Sequence, residues 1–192
     1  MAGRLLHALH TRWAALAPRQ RRQWRQRGLL IVLWLGVLGY SLPYWPAQSQ
    51  PPALGERLQC RVQTVHDGDT VSLDCPGGRR KVRLHGIDAP ELAQAPWGEQ
   101  ARQALAALLP AQVTVEVLDT DRYGRTVARL RAGDTDLGLE LVRQGRAVVY
   151  ERYNRAAEYR QAQAEARQAR RGIWAESGAQ QSPERWRHLN PR

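Results

Sequence analysis

The chain has 192 residues, enough for one ordinary domain with a buried core plus a short additional segment. Its formal net charge of +11 is uneven, because seven of the 29 basic residues lie in residues 1–27, which contain no Asp or Glu. The other 22 basic and 18 acidic residues leave the rest of the chain only mildly basic. This balance excludes a domain that attracts polyanions by bulk charge, so nucleic-acid binding would need a local cluster of charge.

The first 56 residues predict a membrane anchor followed by a linker. Residues 28–46 contain no charged side chain and follow the arginine-rich segment 1–27. As a helix, the apolar run Leu29–Trp45 would be roughly 26 Å long at about 1.5 Å per residue, close to the thickness of a bilayer core. Residues 47–56 are rich in Pro, Gln and Ser, as is typical of a linker. We therefore predict one transmembrane helix before the folded domain.

The distribution of arginine predicts the orientation of this anchor. Basic residues before the apolar run, with none directly after it, favour a cytoplasmic N-terminus in the inner (plasma) membrane and a domain on the outer, periplasmic side. The alternative is a protein secreted after signal cleavage, although Trp45-Pro46-Ala47 is a poor cleavage site. An arginine-rich, acid-poor start also fits a mitochondrial presequence.

Residues 57–174 predict one domain in which strands come first. The predicted strands are Leu58–His66, Thr70–Cys75, Arg79–Ile87, Val113–Leu118 and Thr126–Arg131. The predicted helices are Glu99–Leu109, Leu137–Gln144 with Asp136 as its cap, and a helix that starts after Asn154 and closes at Gly172. This order indicates the α+β class, as a five-stranded OB-fold-like barrel with three packed helices. Residues 175–192 form a polar tail to which the pattern assigns no role.

The two cysteines lie at equal distances on either side of the turn Asp67-Gly68. A regular hairpin would therefore place Cys60 opposite Cys75, close enough for a disulfide. A bulge in the hairpin would disturb this pairing, and the alternative is two free thiols in the core. A zinc site would need more ligands than this pair supplies.

Acidic residues lie on both sides of Arg83, which belongs to the third predicted strand. Asp67 and Asp69 precede Arg83 in the chain, and Asp88 and Glu91 follow it. Taken alone, the Asp-Gly-Asp triplet is a common turn sequence. Hard oxygen ligands next to a guanidinium are, however, the groups that a metal-assisted reaction on a phosphate requires.

Four segments together carry a resemblance to a known family. They are VHDGDTV, VRLHGIDAPE, DRYGR and LVRQGRAVVY, in this order between Leu58 and Trp174. In these segments the chain closely resembles the staphylococcal nuclease (thermonuclease) family, as a membrane-anchored member. The resemblance implies a five-stranded OB barrel and a calcium-dependent enzyme that hydrolyses DNA and RNA with little sequence specificity.

The resemblance also implies a metal site. Asp69 and Asp88 would bind Ca²⁺ through their carboxylates, and Ala89 through its backbone carbonyl. The best-known member of the family has Thr at the position of Ala89, but a backbone ligand does not depend on the side chain. Asp67 would support the metal loop from behind, and Glu91 would hold or deprotonate the attacking water.

The remaining implied roles concern the substrate. Arg83 and Arg125 would bind the scissile phosphate, and Arg122, Tyr123 and Tyr150 would line the nucleotide pocket. The family also includes nuclease-like domains that have lost catalysis and only bind nucleic acid, which is the alternative function. Such domains usually lack several active-site residues, whereas this chain retains the complete implied set, which favours the enzyme. The expected partners are DNA, RNA and the membrane, and no protein partner is predicted.

Overall fold

The computed structural model describes residues 53–191, so the predicted basic segment 1–27 and anchor 28–46 lie outside it. No helix in 53–191 is long and apolar enough to cross a membrane. The strands are β1 (Arg57–Val65), β2 (Thr70–Cys75), β3 (Gly78–Leu84), β4 (Ile87–Asp88), β5 (Gln112–Thr120), β6 (Thr126–Ala132), β7 (Thr135–Asp136) and β8 (Val148–Val149). The helices are α1 (Trp97–Leu108), α2 (Leu137–Arg143), α3 (Ala157–Gln168) and α4 (Pro183–Leu189), with short 3₁₀ turns at Gly172–Trp174 and Ala179–Gln181.

Five strands close into a barrel. Strand β1 pairs antiparallel with β2 and β5, β2 with β3, and β5 with β6. The barrel closes through a parallel pairing of β3 with β6, in which Val82 lies opposite Thr126. This architecture confirms the predicted five-stranded barrel with packed helices, and closure leaves none of these five strands with a free edge.

The barrel interior is filled by apolar residues at alternate positions of the strands, because successive side chains of a strand point to opposite faces. The buried members are Leu58, Cys60, Val71, Leu73, Cys75, Val82, Leu84, Val113, Val115, Val117, Ala128 and Leu130. The helices add a second layer to the same core, through Ala101 and Leu105 of α1, Leu141 of α2 and Tyr159 of α3.

Helix α2 begins where the sequence predicts. The Asp136 carboxylate accepts hydrogen bonds from the backbone N–H groups of Gly138 (3.0 Å) and Leu139 (3.2 Å), which confirms the predicted cap. The Tyr159 hydroxyl of α3 donates to the same oxygen at 2.9 Å. This shared acceptor joins the two helices at one end.

The third predicted strand is shorter than expected and is followed by a turn. Strand β3 ends at Leu84, and Gly86 has a φ of +73°, a conformation that favours glycine. A Cβ at Gly86 would lie 2.4 Å from the Cβ of Asn154, so the space is also closed to a side chain. The chain then forms β4, which pairs with β8 and carries Asp88.

Helix α3 ends at Gln168 rather than at Gly172, which corrects the predicted boundary. Arg170 adopts a left-handed conformation with a φ of 53°, which a right-handed helix cannot continue. The following residues form the 3₁₀ turn Gly172–Trp174, in which Ile173 is fully buried.

The polar tail 175–192 contains regular structure that the sequence pattern did not indicate. It includes the second 3₁₀ turn and α4, so the domain has four helices rather than three. Hydrogen bonds attach this segment to the domain; among them, Gln94 Nε2 donates to the Ala179 carbonyl at 3.1 Å, and the Tyr150 hydroxyl donates to Glu184 Oε1 at 3.3 Å.

A disulfide joins Cys60 and Cys75, with a Cα–Cα distance of 4.4 Å. The hairpin is not symmetric about Asp67-Gly68, because a bulge between Val62 and Thr64 shifts the pairing near the tip by one residue. Beyond the bulge the expected register returns, and the two cysteines face each other. A bond that closes a loop of 15 residues stabilises the folded state by about 3 kcal/mol in the chain-entropy description.

Candidate active site

The loop between β1 and β2 is fixed at one end of the barrel. Asp67 Oδ1 accepts a hydrogen bond from the backbone N–H of Asp69 at 3.0 Å, which holds the loop in a tight bend. A Cβ at Gly68 would lie 2.6 Å from the Cβ atoms of Ala89 and Ala101. Only glycine lets the loop pack this closely against α1 and the segment after β4. The loop therefore places Asp69 beside the end of β4.

Asp69 is buried, and both of its carboxylate oxygens accept hydrogen bonds. Its Oδ1 accepts from Arg83 Nη1 at 2.9 Å and from the Thr70 hydroxyl at 3.0 Å. Its Oδ2 accepts from the backbone N–H of Ala89 at 3.1 Å. Asp69 thus joins the β1–β2 loop to the segment that follows β4.

Arg83 bridges the two buried carboxylates. It lies opposite Thr70 in the β2–β3 ladder, and its Nη2 contacts Asp88 Oδ1 at 3.2 Å and the Ile87 carbonyl at 3.4 Å. Burial disfavours the charged guanidinium, but Asp69 and Asp88 more than offset this effect and raise the pKa of Arg83. The guanidinium therefore stays charged between the two acids.

The carboxylates of Asp67, Asp69, Asp88 and Glu91, which we call the acidic cluster, lie at this end of the barrel. Burial, together with repulsion from Asp69, raises the pKa of Asp67 to about 6. Burial and the same neighbour raise the pKa of Asp88, although a hydrogen bond from Arg187 opposes the shift. Burial is the largest cause of both shifts, and the repulsion from Asp69 adds to it.

Arg187 of α4 contacts the acidic cluster, and the sequence analysis did not predict this contact. Its Nη2 contacts Asp88 Oδ2 at 2.9 Å, and its Nη1 contacts Asp88 Oδ1 and Glu91 Oε1, both at 3.0 Å. Burial disfavours its charge, but the hydrogen bonds to Asp88 and Glu91 outweigh this and raise its pKa. Arg187 is therefore a second guanidinium on the acidic cluster.

Glu91 lies at the rim of the cluster. Its backbone N–H donates to Gln94 Oε1 at 2.9 Å, which fixes the chain just after the Asp88-Ala89-Pro90 turn. Its side chain is 21% exposed, against 2% for Asp88, so water reaches Glu91 more readily than it reaches the metal-ligand candidates.

The predicted phosphate and nucleotide residues of the β5–β6 loop are held by the loop itself. Arg125 Nε contacts Asp121 Oδ2 at 2.7 Å, and the Arg125 backbone N–H donates to Asp121 Oδ1 at 3.0 Å. The guanidiniums of Arg122 and Arg125 lie over the Tyr123 ring, 5.0 and 5.6 Å from its centroid, and Tyr123 is 70% exposed. The structure pairs Arg125 with Asp121, and its role at the scissile phosphate stays a prediction.

The third predicted nucleotide residue, Tyr150, directly follows β8. Its ring packs edge-on against Tyr153 with 5.0 Å between centroids. Together with Asp88 and Glu184 it lines an open cavity of about 330 Å³ between β8, α3 and α4. Asp88 therefore connects this cavity to the acidic cluster.

The donor set fits a hard divalent cation. The available oxygens are the Asp69 and Asp88 carboxylates and the Ala89 carbonyl, which water would complete. No group of three or more His, Cys, Asp or Glu side chains within 53–191 is arranged to hold a metal on its own. Four carboxylates, those of Asp67, Asp69, Asp88 and Glu91, lie beside two guanidinium groups, those of Arg83 and Arg187, so the balance of charge favours a cation at this position.

One local signal for Arg187 was present in the sequence. Ser182-Pro183-Glu184 is typical of a helix start, and Arg187 and His188 are basic residues suited to a last turn. These features predict a short helix, but they do not indicate its partner. Arg187 and Asp88 are 99 residues apart in sequence, so only the folded chain shows the contact.

Comparisons with known proteins show the family. A family model described as "Staphylococcal nuclease homologue" matches residues 81–176, a range that includes Arg83, Asp88, Glu91 and Arg125 but begins after Asp69. A protein named "Uncharacterized endonuclease" from Haemophilus influenzae is 37% identical over 134 residues, covering 69% of this chain and 74% of its own. A protein named "Micrococcal nuclease" from Shigella flexneri is 38% identical over 166 residues, covering 80% and 88%. This chain therefore belongs to the family of staphylococcal nuclease homologues.

Proposed function

We propose that this chain is a metal-dependent nuclease that hydrolyses phosphodiester bonds of DNA and RNA. The observation that carries the proposal is the convergence of buried Asp69 and Asp88 on Arg83, with the more exposed Glu91 beside them. The names of the relatives support the same reaction class, since two of them are called an endonuclease and a micrococcal nuclease.

The residues have distinct roles in this proposal. Asp69, Asp88 and the Ala89 carbonyl hold a divalent cation, for which Ca²⁺ is the best candidate because it accepts several oxygen ligands in a loose geometry. When bound, the cation supplies positive charge next to the phosphate. Arg83 stabilises the negative charge that develops on the phosphate oxygens, and its planar guanidinium can contact two of them at once. Glu91 orients or deprotonates the attacking water.

Weak sequence preference follows from the kind of contacts available. Arg125 contributes charge for phosphates, and the exposed ring of Tyr123 offers a stacking surface for a base. Phosphate contacts and stacking carry little sequence information, and stacking requires an unpaired base. We therefore expect single-stranded or fraying DNA and RNA to be the preferred substrates.

A cleavage assay tests the proposal. The full-length chain should degrade single-stranded DNA and RNA in Ca²⁺, and excess EDTA should abolish the activity, because Asp69 and Asp88 then have no cation to hold. Adding Mg²⁺, Mn²⁺ or Ca²⁺ back after chelation identifies the ion. Binding of oligonucleotides without cleavage in any of these ions would contradict the proposal and indicate a non-catalytic binding module.

The same proposal includes a location outside the cytoplasm. Support comes from the uncharged residues 28–46 after an arginine-rich segment and from the Cys60–Cys75 disulfide, a bond typical of oxidising compartments. We propose that residues 28–46 anchor the chain in the plasma membrane, with its domain on the periplasmic side.

A topology reporter tests this location. Alkaline phosphatase fused after Arg192 should be active, because it folds only outside the cytoplasm, and the fusion should stay in the membrane fraction. A fusion to a cytoplasm-dependent reporter should be inactive. The opposite pattern would contradict the orientation, and an active fusion found only in the soluble periplasmic fraction would indicate a cleaved signal.

A further inference from the structure

The C-terminal strap, which we define as residues 175–191, covers the acidic cluster. Its helix α4 delivers the Arg187 guanidinium to both oxygens of Asp88 and to Glu91, at 2.9 to 3.0 Å. Glu91 and Asp88 have proposed roles in catalysis and in cation binding, so the strap contacts the residues on which the reaction would depend. This contact is not an incidental surface pair, because the Asp88 side chain is only 2% exposed.

Further hydrogen bonds attach the strap to the domain. Gln94 Nε2 donates to the Ala179 carbonyl, and the Tyr150 hydroxyl donates to Glu184. Within the strap, Gln180 Nε2 donates to the Glu176 carbonyl at 2.7 Å, and Pro183 is buried. These contacts determine where α4 begins and therefore bring Arg187, one turn further on, to Asp88.

Arg187 and a cation would compete for the same oxygens. Asp88 Oδ1 already accepts from Arg83 and from Arg187, and Asp88 Oδ2 accepts from Arg187. A divalent cation on Asp88 would have to share these oxygens with a guanidinium in direct contact, and like charges at this separation repel strongly. A substrate phosphate has the same need for space beside Asp88 and Glu91.

The attachment of α4 is slight enough to be reversible. The helix has seven residues, and Pro183 is its buried residue. Arg185 and His188 are exposed, and Leu189 is 68% exposed. A segment with few buried apolar contacts opens at low free energy compared with the barrel.

We propose that Arg187 is an internal occupant of the active site, and that the strap must release Asp88 and Glu91 before a cation and a phosphate bind. The inference rests on the proposed function, since it takes Asp88 as a cation ligand. It adds a closed state in which the chain's own guanidinium balances the acidic cluster. Binding of Ca²⁺ and binding of Arg187 at Asp88 are then mutually exclusive.

Calorimetric titration with Ca²⁺ tests the competition without relying on activity. In the full-length chain, Arg187→Gln should bind Ca²⁺ at least about tenfold more tightly than wild type, because the competing charged hydrogen bonds are gone. Arg187→Lys keeps the charge but loses the planar guanidinium group, so its Ca²⁺ affinity should lie between those of wild type and Arg187→Gln. The matched control is Arg185→Gln on the same helix, which removes one exposed charge and should change the affinity by less than about twofold.

Hydrogen exchange of α4 supplies a second readout on the wild-type chain. Saturation with Ca²⁺ should accelerate amide exchange in residues 183–189 by about tenfold or more, while exchange in the barrel strands slows or stays constant. Unchanged exchange in α4 would contradict the proposal. Equal Ca²⁺ affinities of wild type and Arg187→Gln would contradict the proposed competition between Arg187 and Ca²⁺, but not the proposed calcium site. Absence of Ca²⁺ binding to every variant would instead contradict the proposed calcium site and, with it, this inference.

Discussion

Replacing Glu91 with Gln is expected to lower the rate of phosphodiester cleavage by about 10²- to 10⁴-fold, the usual effect of removing a general base. The amide keeps the size of the side chain and an acceptor oxygen for Arg187, but it loses the negative charge that orients or deprotonates water. The Glu91 side chain is 21% exposed, against 6% for Asp69 and 2% for Asp88, which is why we assign it this role. Steady-state kinetics on single-stranded DNA in saturating Ca²⁺ measures the effect.

The fold should change little in this variant. The control is Glu99→Gln on α1, where Glu99 pairs with Arg102 at 2.6 Å on the surface. Its rate should stay within about twofold of wild type, because a surface pair contributes little. Activity of Glu91→Gln close to that of wild type, with normal folding, would refute the assignment of Glu91.

Replacing Arg83 with Gln should reduce both activity and stability. Arg83 lies between Asp69 and Asp88, whose side chains are 6% and 2% exposed, so its loss leaves buried carboxylates without their bridging charge. Breaking such a pair costs about 3–5 kcal/mol, and we expect about 3 kcal/mol because Arg187 still contacts Asp88. Urea unfolding in EDTA measures the loss, and added Ca²⁺ should restore part of it.

Arg125→Gln is the matched comparison, since both arginines are predicted to bind the scissile phosphate. Arg125 pairs with Asp121 four residues away in its own loop, so its loss should cost less than about 1 kcal/mol of stability. Both variants should lower the turnover by about 10²- to 10³-fold, as when one donor to a developing oxyanion is removed. Equal unfolding free energies for the two variants would show that Arg83 does not neutralise the buried acids.

Local patterns in the sequence determined most of the barrel. The alternation of apolar residues in Thr70–Cys75 and Val113–Leu118 predicts strands because side-chain direction has a period of two, whatever the partner strand is. The cap at Asp136 is equally local, since its acceptor contacts lie two and three residues away. The boundary of the third strand failed because Gly86 turns the chain where it packs against Asn154, a contact that no local pattern encodes.

Residue types and spacing also indicated which side chains carry the chemistry. Asp69, Arg83, Asp88 and Glu91 lie within one stretch of the chain, and the β1–β2 loop, β3 and β4 bring the first three together at one end of the barrel. Binding of cations by carboxylates and of phosphates by guanidinium groups is a property of the groups themselves, so residue type is enough to indicate it. The assignment of each role remains a prediction for the experiments above.

Only the tertiary structure decided how the charges of this cluster are balanced. The sequence hypothesis assigned Arg125 to the scissile phosphate, and the structure pairs it with Asp121 of its own loop, while Arg187 arrives from a segment that looked like a polar tail. The reason is physical: a buried carboxylate selects whichever guanidinium the packing of the chain brings within hydrogen-bonding distance, independent of sequence separation. The sequence by itself determined the barrel and its acidic end. The packing of α4 decided which arginine contacts Asp88 and Glu91 there.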